Sequence, residues 1–263
     1  MAGRDFDGKI VVVTGASTGL GRAIAVETAE RGAAAVVINY ASSADEAAET
    51  AKQVAAHGAQ AVVVQGDVSL DADCAGIAAA AAPFGRIDAL FNNAGVTKFA
   101  NNHADLDAVC ADDFMRLYAV NVVGAFQMIR AARALLEAAA SPSAVVNTAS
   151  IAGVMGIGSS VPYAASKGAL ITMTLSLARA LGPKIRVNAI NPGFIDTPWF
   201  GRAMPADRLE RLREGVANSV PLKAASTPED IAGAAVFLAS PAARHITGEC
   251  LMVDAGLHLH YAT

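Results

Sequence analysis

The chain alternates two kinds of hydrophobic pattern. Seven short runs, at 9–14, 35–39, 61–65, 89–92, 144–148, 185–189 and 250–253, are apolar at nearly every position. Continuous apolar runs of this length are what strands of a parallel sheet look like when both faces are covered. Between them lie longer alanine-rich stretches with helical spacing, near 19–31, 43–57, 70–82, 112–139, 162–181 and 228–239. Thr227-Pro228-Glu229-Asp230 shows how such a helix begins: a capping hydroxyl, proline at the first helical position, then acids in the first turn. Strand and helix in alternation predict an α/β fold, a doubly wound parallel sheet of about seven strands flanked by helices. No linker, repeat or low-complexity stretch divides the chain. A single domain over 1–263 is expected, a length sufficient for one full core. Ligands of such sheets sit beyond the carboxyl ends of the strands, so the residues to read are those just after each run.

After the first run comes Thr14-Gly15-Ala16-Ser17-Thr18-Gly19-Leu20-Gly21. Glycines between a strand and a helix permit a tight turn, close backbone approach, and a diphosphate at the helix N-terminus. A simple tight connection would also account for them. Their place after the first buried strand favours a dinucleotide. A second feature is Val161-Pro162-Tyr163-Ala164-Ala165-Ser166-Lys167. If a helix starts near Pro162, Tyr163 and Lys167 are one turn apart on the same face. An ammonium ~4 Å from a phenolate contributes ~4 kcal/mol at an effective dielectric of ~20, or ~3 pK units. A phenol of pKa ~10 would then fall toward ~7 and serve as proton donor and acceptor at neutral pH. The plain alternative is an ordinary helix with an exposed lysine and a half-buried tyrosine.

Five elements taken together resemble the short-chain dehydrogenases/reductases: TGASTGLG (14–21), NNAG (92–95), Ser150, YAASK (163–167) and NPGFIDT (191–197). They occur in the family's order, over essentially the whole chain, with Ser150 at the family's usual distance before Tyr163. The resemblance implies a Rossmann-type domain. It implies that Tyr163 is the general acid/base, and that Lys167 lowers its pKa and holds the nicotinamide ribose. Ser150 would bond the substrate oxygen and stabilise developing charge. It also implies that Gly15, Ser17, Thr18, Gly19, Leu20 and Gly21 cradle the diphosphate. Asn93, Ala94 and Gly95 would pass close to the adenine ribose, Asp67 and Val68 would touch the adenine, and Pro192, Gly193, Ile195 and Thr197 would clasp the nicotinamide end. For Asn121, in the apolar stretch RLYAVNVVGAF, the residues alone are consistent with a satisfied core amide. The resemblance implies a water-bridged proton relay from Lys167.

The second strand ends Asn39-Tyr40-Ala41-Ser42-Ser43, with no acid before Asp45. In the family, NAD-selective members commonly carry an acid there, which repels a 2′-phosphate. Asn39, Tyr40, Ser42 and Ser43 therefore point to NADP(H) as preferred cofactor, with NAD(H) accepted. Thr18, where many NADP enzymes of the family place arginine, points the other way. Substrate selection is expected from 151–161, 96–112 and a lid at 194–220, which offer Met155, Ile157, Phe99, Trp199, Phe200 and Met204 for a largely apolar pocket. His103 and Asp105 read as a solvated loop. The C-terminal motif has Ala255 where the family usually has glycine. That region lies at subunit interfaces in the family, so a homo-oligomer, tetramer or dimer, is expected, and His260 and Tyr261 are candidates to reach a neighbouring site.

Charge and composition narrow the classes. A net charge of −4 and a pI of about 5.7 argue against nucleic acid or an anionic membrane as partner. No uninterrupted apolar run approaches a membrane span, and the first ten residues are polar. Three scattered cysteines suit a reducing cytoplasm, and no Cys/His spacing suggests a metal. Acidic acyl carriers need a basic docking patch, and the stretch ALLEAAASPSA before Ser150 contains no base. The expected activity is interconversion of a small-molecule carbonyl and a secondary alcohol. The competing classes are a cofactor-binding sensor without turnover, and a non-redox lyase or isomerase on the same fold.

Overall fold

The structure is a computed structural model, and it describes residues 3–100, 102–197, 199 and 205–259. In chain order the elements are β1 (Ile10–Val13), α1 (Gly19–Glu30), β2 (Ala35–Tyr40), α2 (Ala44–Ala56), β3 (Gln60–Gln65), α3 (Asp71–Ala79) and β4 (Ala89–Asn92). Then follow α4 (Ala111–Tyr118), a π-helical segment (Ala119–Gly124), α5 (Ala125–Glu137), β5 (Ser143–Thr148), α6 (Ala152–Met155), α7 (Val161–Leu181) and β6 (Ile185–Pro192). α8 (Ala206–Ser219), α9 (Pro228–Ala239) and β7 (Cys250–Val253) complete the order. The seven strands form one parallel sheet in the order β3-β2-β1-β4-β5-β6-β7.

Successive strand residues serve opposite faces. Val11 and Val13 pack with Ile24, Ile38, Phe91 and Val236, under α1 and α9. Ile10 and Val12 pack with Ile77, Leu90, Met128 and Leu136, under α3 and α5. Both sets are apolar, which is why the runs do not alternate. β3, at the sheet edge, is exposed or half-buried throughout.

One element differs from the sequence expectation, and two add to it. The helix expected over 112–139 is α4, the π segment and α5 in succession, and Asn121 sits in the π segment. Over Ala111–Glu137 this body has a mean hydropathy of 1.2 in its most apolar window, enough by length and composition to cross a membrane. Here Leu117, Met128, Ile129 and Leu136 are buried in the domain instead. Segment 194–220 contains a regular helix, α8. The glycine-rich stretch after Ser150 holds the single turn of α6, pressed on α7: a Cβ on Gly153 would stand 2.5 Å from the Lys167 carbonyl carbon.

Ala255, which replaces the glycine usual in the resembled family, has φ 55°. A non-glycine residue in this left-handed region is strained by about 1–2 kcal/mol, partly offset by the greater unfolded-chain entropy of glycine. Ala255→Gly is therefore expected to stabilise the fold by about 0.5 kcal/mol, a rise in Tm of roughly 1–2 °C by differential scanning calorimetry. A fall in Tm would show that the methyl's packing outweighs the strain.

Candidate active site

The glycine loop is built around absent side chains. Gly15 has φ 61° and Gly19 φ 54°. A Cβ on Gly15 would meet the Ala94 Cα at 2.8 Å, and one on Gly21 would meet the Gly15 oxygen at 2.3 Å. The loop is locked to the turn after β4. The Asn93 amide donates to the carbonyls of Thr14 (3.1 Å) and Gly15 (3.0 Å), and the Thr14 hydroxyl accepts from the backbone of Asn93 (3.0 Å) and Ala94 (3.1 Å). α1 then starts with Gly19, Leu20 and Gly21. No acid lies in its first turn, and the Thr18 side chain does not cap it. Its first N–H groups and positive dipole end form a cradle suited to a diphosphate. Ser17 supports the loop with its carbonyl, which accepts from Arg22 (2.6 Å) and from Thr50 (3.1 Å).

Asn39 corrects the sequence reading. It is 1% exposed, and its side chain turns inward. Oδ1 accepts from Gly15 N (3.2 Å), and Nδ2 donates to the carbonyls of Gly66 (3.0 Å), Val64 (3.4 Å) and Tyr40 (3.4 Å). A side chain so committed to the backbone has nothing left for a 2′-phosphate. The residues that face outward at this strand end are Tyr40, Ser42 and Ser43. Val68 is also turned inward, against Gly124, while Asp67 is exposed and accepts from Ser69 N (2.9 Å). On the far side, Thr197 lies 3.2 Å from where a Cβ of Gly19 would stand, and Gly193 leaves room for Asp254. Ile195 forms an isolated bridge with Ser226, and Pro192 ends β6. The segment after β6 and the glycine loop therefore close on one cleft.

Ser150, Tyr163 and Lys167 converge where β5 ends and α7 begins. Ser160 caps α7 by accepting from Tyr163 N (3.4 Å), and Pro162 lies in the first turn. Ser150 Oγ accepts from Ala152 N (3.1 Å), donates to the Pro192 carbonyl (3.5 Å), and lies near enough to the Tyr163 phenol to lower its pKa. Lys167 is 3% exposed, its Nζ donates to the Thr148 carbonyl (2.7 Å), and it lies 5.7 Å from the centre of the Tyr163 ring. Trp199 stands edge-on to that ring, with centroids 6.5 Å apart at 89°.

The expected fall of the Tyr163 pKa toward ~7 does not appear in the protein alone. Burial pushes the phenol up to about 12, only partly opposed by the Ser150 hydroxyl, and burial also brings Lys167 down to about 8. Tyr163 as a whole keeps some exposure, whereas Lys167 keeps almost none. The ammonium faces a carbonyl rather than the phenol oxygen, which is why it does not offset the desolvation.

Asn121 is 1% exposed and fully engaged. Its Oδ1 accepts from Val96 N (2.9 Å), and its Nδ2 donates to Val96 O (3.0 Å) and Ser166 Oγ (3.0 Å). The amide has found its partners within the protein, as a core asparagine would. A Cβ on Gly95 would stand 3.4 Å from Asn121 Oδ1 and 3.6 Å from Lys167 Nζ, so Gly95 lies between the two. Sequence reasoning missed Ser166, Thr14 and Val96. The one signal for Ser166 was a polar residue on the inner face of an alanine-rich helix.

The substrate segments are partly defined. Segment 97–103 is stapled to the loop before α7: Thr97 Oγ1 bonds Ser159 Oγ, Ala100 N donates to Ser159 O (2.7 Å), and His103 Nε2 bonds Gly158 O (3.1 Å). Asp105 is exposed. Beside this segment lies an apolar cavity of about 510 Å³, lined by Leu106, Val109, Phe114, Met115 and Val161 among others, and by none of Ser150, Tyr163 or Lys167. Phe200, Met204, His260 and Tyr261 lie outside the described residues. Among the described residues there is no cluster of three or more metal-ligating side chains.

A doubly wound sheet with a glycine cradle on β1 and a serine–tyrosine–lysine group beyond β5 defines a nicotinamide-dinucleotide oxidoreductase. The family model described as enoyl-(acyl carrier protein) reductase matches residues 15–258. The relative named "Granaticin polyketide synthase putative ketoacyl reductase 2", from Streptomyces violaceoruber, is 39% identical over 95% of this chain and 96% of its own. The L-rhamnose 1-dehydrogenase (NAD(P)(+)) of Azotobacter vinelandii is 38% identical over 96% of this chain and 97% of its own. The solved structure of a mutant Serratia marcescens short-chain dehydrogenase/reductase matches with a TM-score of 0.84 at 31% identity, over 96% of this chain and 99% of that one. The chain belongs to the short-chain dehydrogenase/reductase family.

Proposed function

We propose that this enzyme interconverts a carbonyl and a secondary alcohol, prefers NADP(H), and uses Tyr163 as its general acid/base. The observation that carries the reading is the convergence of Ser150, Tyr163 and the buried Lys167 ammonium at the end of β5, 5.7 Å from ammonium to ring centre, with the glycine cradle across the cleft. The cofactor fits two features of the protein: a loop with no room for side chains, and a buried cation that makes one hydrogen bond among the described residues. Gly15 to Gly21 would hold the diphosphate, Lys167 the ribose, and Ile195 and Thr197 the nicotinamide side. The bound cofactor supplies or accepts hydride. The protein does the rest. Tyr163 carries its proton at Oη at neutral pH, as its raised pKa requires, and is poised to give it to a carbonyl oxygen. Ser150 Oγ donates to the same oxygen and stabilises the charge that develops there. In oxidation Tyr163 takes the proton back. Asn121, whose amide is bonded to Val96 and Ser166, holds the π segment against the start of α7.

NADP(H) preference is supported by the outward-facing end of β2, where Tyr40, Ala41, Ser42 and Ser43 include no acid. Segment 194–220 serves as the lid over the substrate. The relatives include a polyketide synthase ketoacyl reductase and an L-rhamnose 1-dehydrogenase. The absence of a base in ALLEAAASPSA favours a free small-molecule substrate over a carrier-bound one. A homo-oligomer, dimer or tetramer, is supported by Met115, Val123 and Phe126, which are 70%, 44% and 43% exposed on one helical body. The free thiols of Cys74, Cys110 and Cys250 suit the cytoplasm.

The test is NADPH oxidation with a panel of ketones, aldoses and thioesters, together with titration of NADPH and NADH at one salt concentration. Wild type is expected to bind NADPH more tightly. Ser42→Asp is expected to weaken NADPH at least about tenfold while NADH changes little, since like charges ~4 Å apart cost ~4 kcal/mol before solvent and salt screening. Asn39→Asp is expected instead to destabilise the fold by about 2–4 kcal/mol, because its buried carboxylate would replace a donor facing three backbone carbonyls. Tighter binding of NADH by wild type would refute the preference. Tight cofactor binding with no turnover on any carbonyl would favour a sensor.

A further inference from the structure

We propose that Ser166 is a positioning residue for the Tyr163–Lys167 pair, acting through a buried joint with Asn121. The proposal rests on the acid/base reading of Tyr163 given above. Ser166 is 0% exposed. Its hydroxyl accepts from Asn121 Nδ2 (3.0 Å) and donates to the Tyr163 carbonyl (2.8 Å). Asn121 bonds both the N–H and the carbonyl of Val96 with the rest of its amide. One amide and one hydroxyl thus join the segment after β4, the π segment and the opening turns of α7.

The joint encloses the place that matters. Gly95 lies between Asn121 and Lys167, so the gap between the ammonium and the backbone after β4 depends on how α7 sits on the π segment. Among the described residues, only its bond to Thr148 holds Lys167 at that distance. A serine hydroxyl bonded to its own helix three residues back contributes little to the helix and often bends it. The bond to Asn121 is therefore what the hydroxyl serves. π segments recur at functional sites and have poorer internal geometry than α-helix, so their placement leans on outside bonds. With alanine at 166, Asn121 Nδ2 keeps only Val96 O, and α7 is free to shift against the π segment. Tyr163 and Lys167 sit on either side of residue 166 and move with it.

The experiment compares wild type, Ser166→Ala and Ser166→Cys. Turnover is followed with NADPH and the best carbonyl of the panel, across pH. NADPH affinity is read from quenching of Trp199, the single tryptophan, which stands edge-on to Tyr163. Ser166→Ala is expected to lower kcat about tenfold, leave the carbonyl KM within about twofold, and weaken NADPH about threefold. The midpoint of the kcat–pH profile should move by about half a unit or more, and Ser166→Cys should fall between the two. A merely structural serine would lower Tm and leave kcat and the pH midpoint at wild-type values in the folded variant, which overturns the proposal. If Ser166→Ala does not fold, Ser166→Cys decides: reduced kcat with a moved midpoint supports the joint, and wild-type values for both overturn it. Retained activity in Tyr163→Phe would sink the acid/base reading itself. An inactive Tyr163→Phe beside a wild-type-like Ser166→Ala would sink only the joint.

Discussion

Tyr163→Phe is expected to lower kcat about a thousandfold, within the range that a positioned proton donor supplies. The ring and its contacts remain, including the edge-on packing of Trp199, so only the phenolic hydroxyl is removed. The Kd for NADPH should stay within severalfold, since the cradle at Gly15–Gly21 and the Lys167 ammonium are untouched. The measurement is steady-state kinetics with cofactor titration on the same preparation. A variant that retains a tenth of wild-type kcat would remove Tyr163 from the acid/base role and direct attention to Ser150.

Lys167→Met should separate binding from stability. Loss of the buried ammonium is expected to weaken NADPH at least about tenfold and to lower kcat with it. Stability should respond in a pH-dependent way. Burial holds the Lys167 pKa at about 8, below its unfolded value of 10.5. A depressed pKa means the folded state favours the neutral amine. The lysine's contribution to stability is therefore fully present above pH ~10.5 and is lost as pH falls through ~8. The full difference is on the order of 3 kcal/mol for a shift of this size. Wild type should gain about this much on Lys167→Met between pH 7 and pH 10.5. Denaturant unfolding at several pH values checks it. A pH-independent stability difference would mean that Lys167 is solvated enough to keep its ordinary pKa.

Much of the site was legible because its chemistry is local in sequence. The Gly15–Gly21 loop, Ser150 and the Tyr163–Lys167 pair each sit immediately after a strand or at a helix start, so the pattern that predicts the elements also places them. Asn39 was misread because a residue at a strand end can turn either way, and three carbonyls of β2, β3 and the turn after β3 capture its amide. The tyrosine's tuning was misread for a related reason. Four-residue spacing sets a shared helix face, but not where an ammonium points, and here Thr148 of a different element takes it. Ser166 and Val96 carried almost no signal, because their partners lie in segments far away along the chain.

By itself, the sequence determined the order of strands and helices, the parallel sheet, the glycine turn after the first strand and the one-turn spacing of Tyr163 and Lys167. Those follow from periodicity, turn chemistry and residue type, which act over a few neighbours. Only the tertiary structure decided which side chains are spent on the protein itself: Asn39 inside the sheet edge, Asn121 in a π segment bonded to Val96 and Ser166, and Lys167 against Thr148. The physical reason is that a buried polar group takes whatever partner the fold brings within about 3 Å, and for these residues that partner comes from another element.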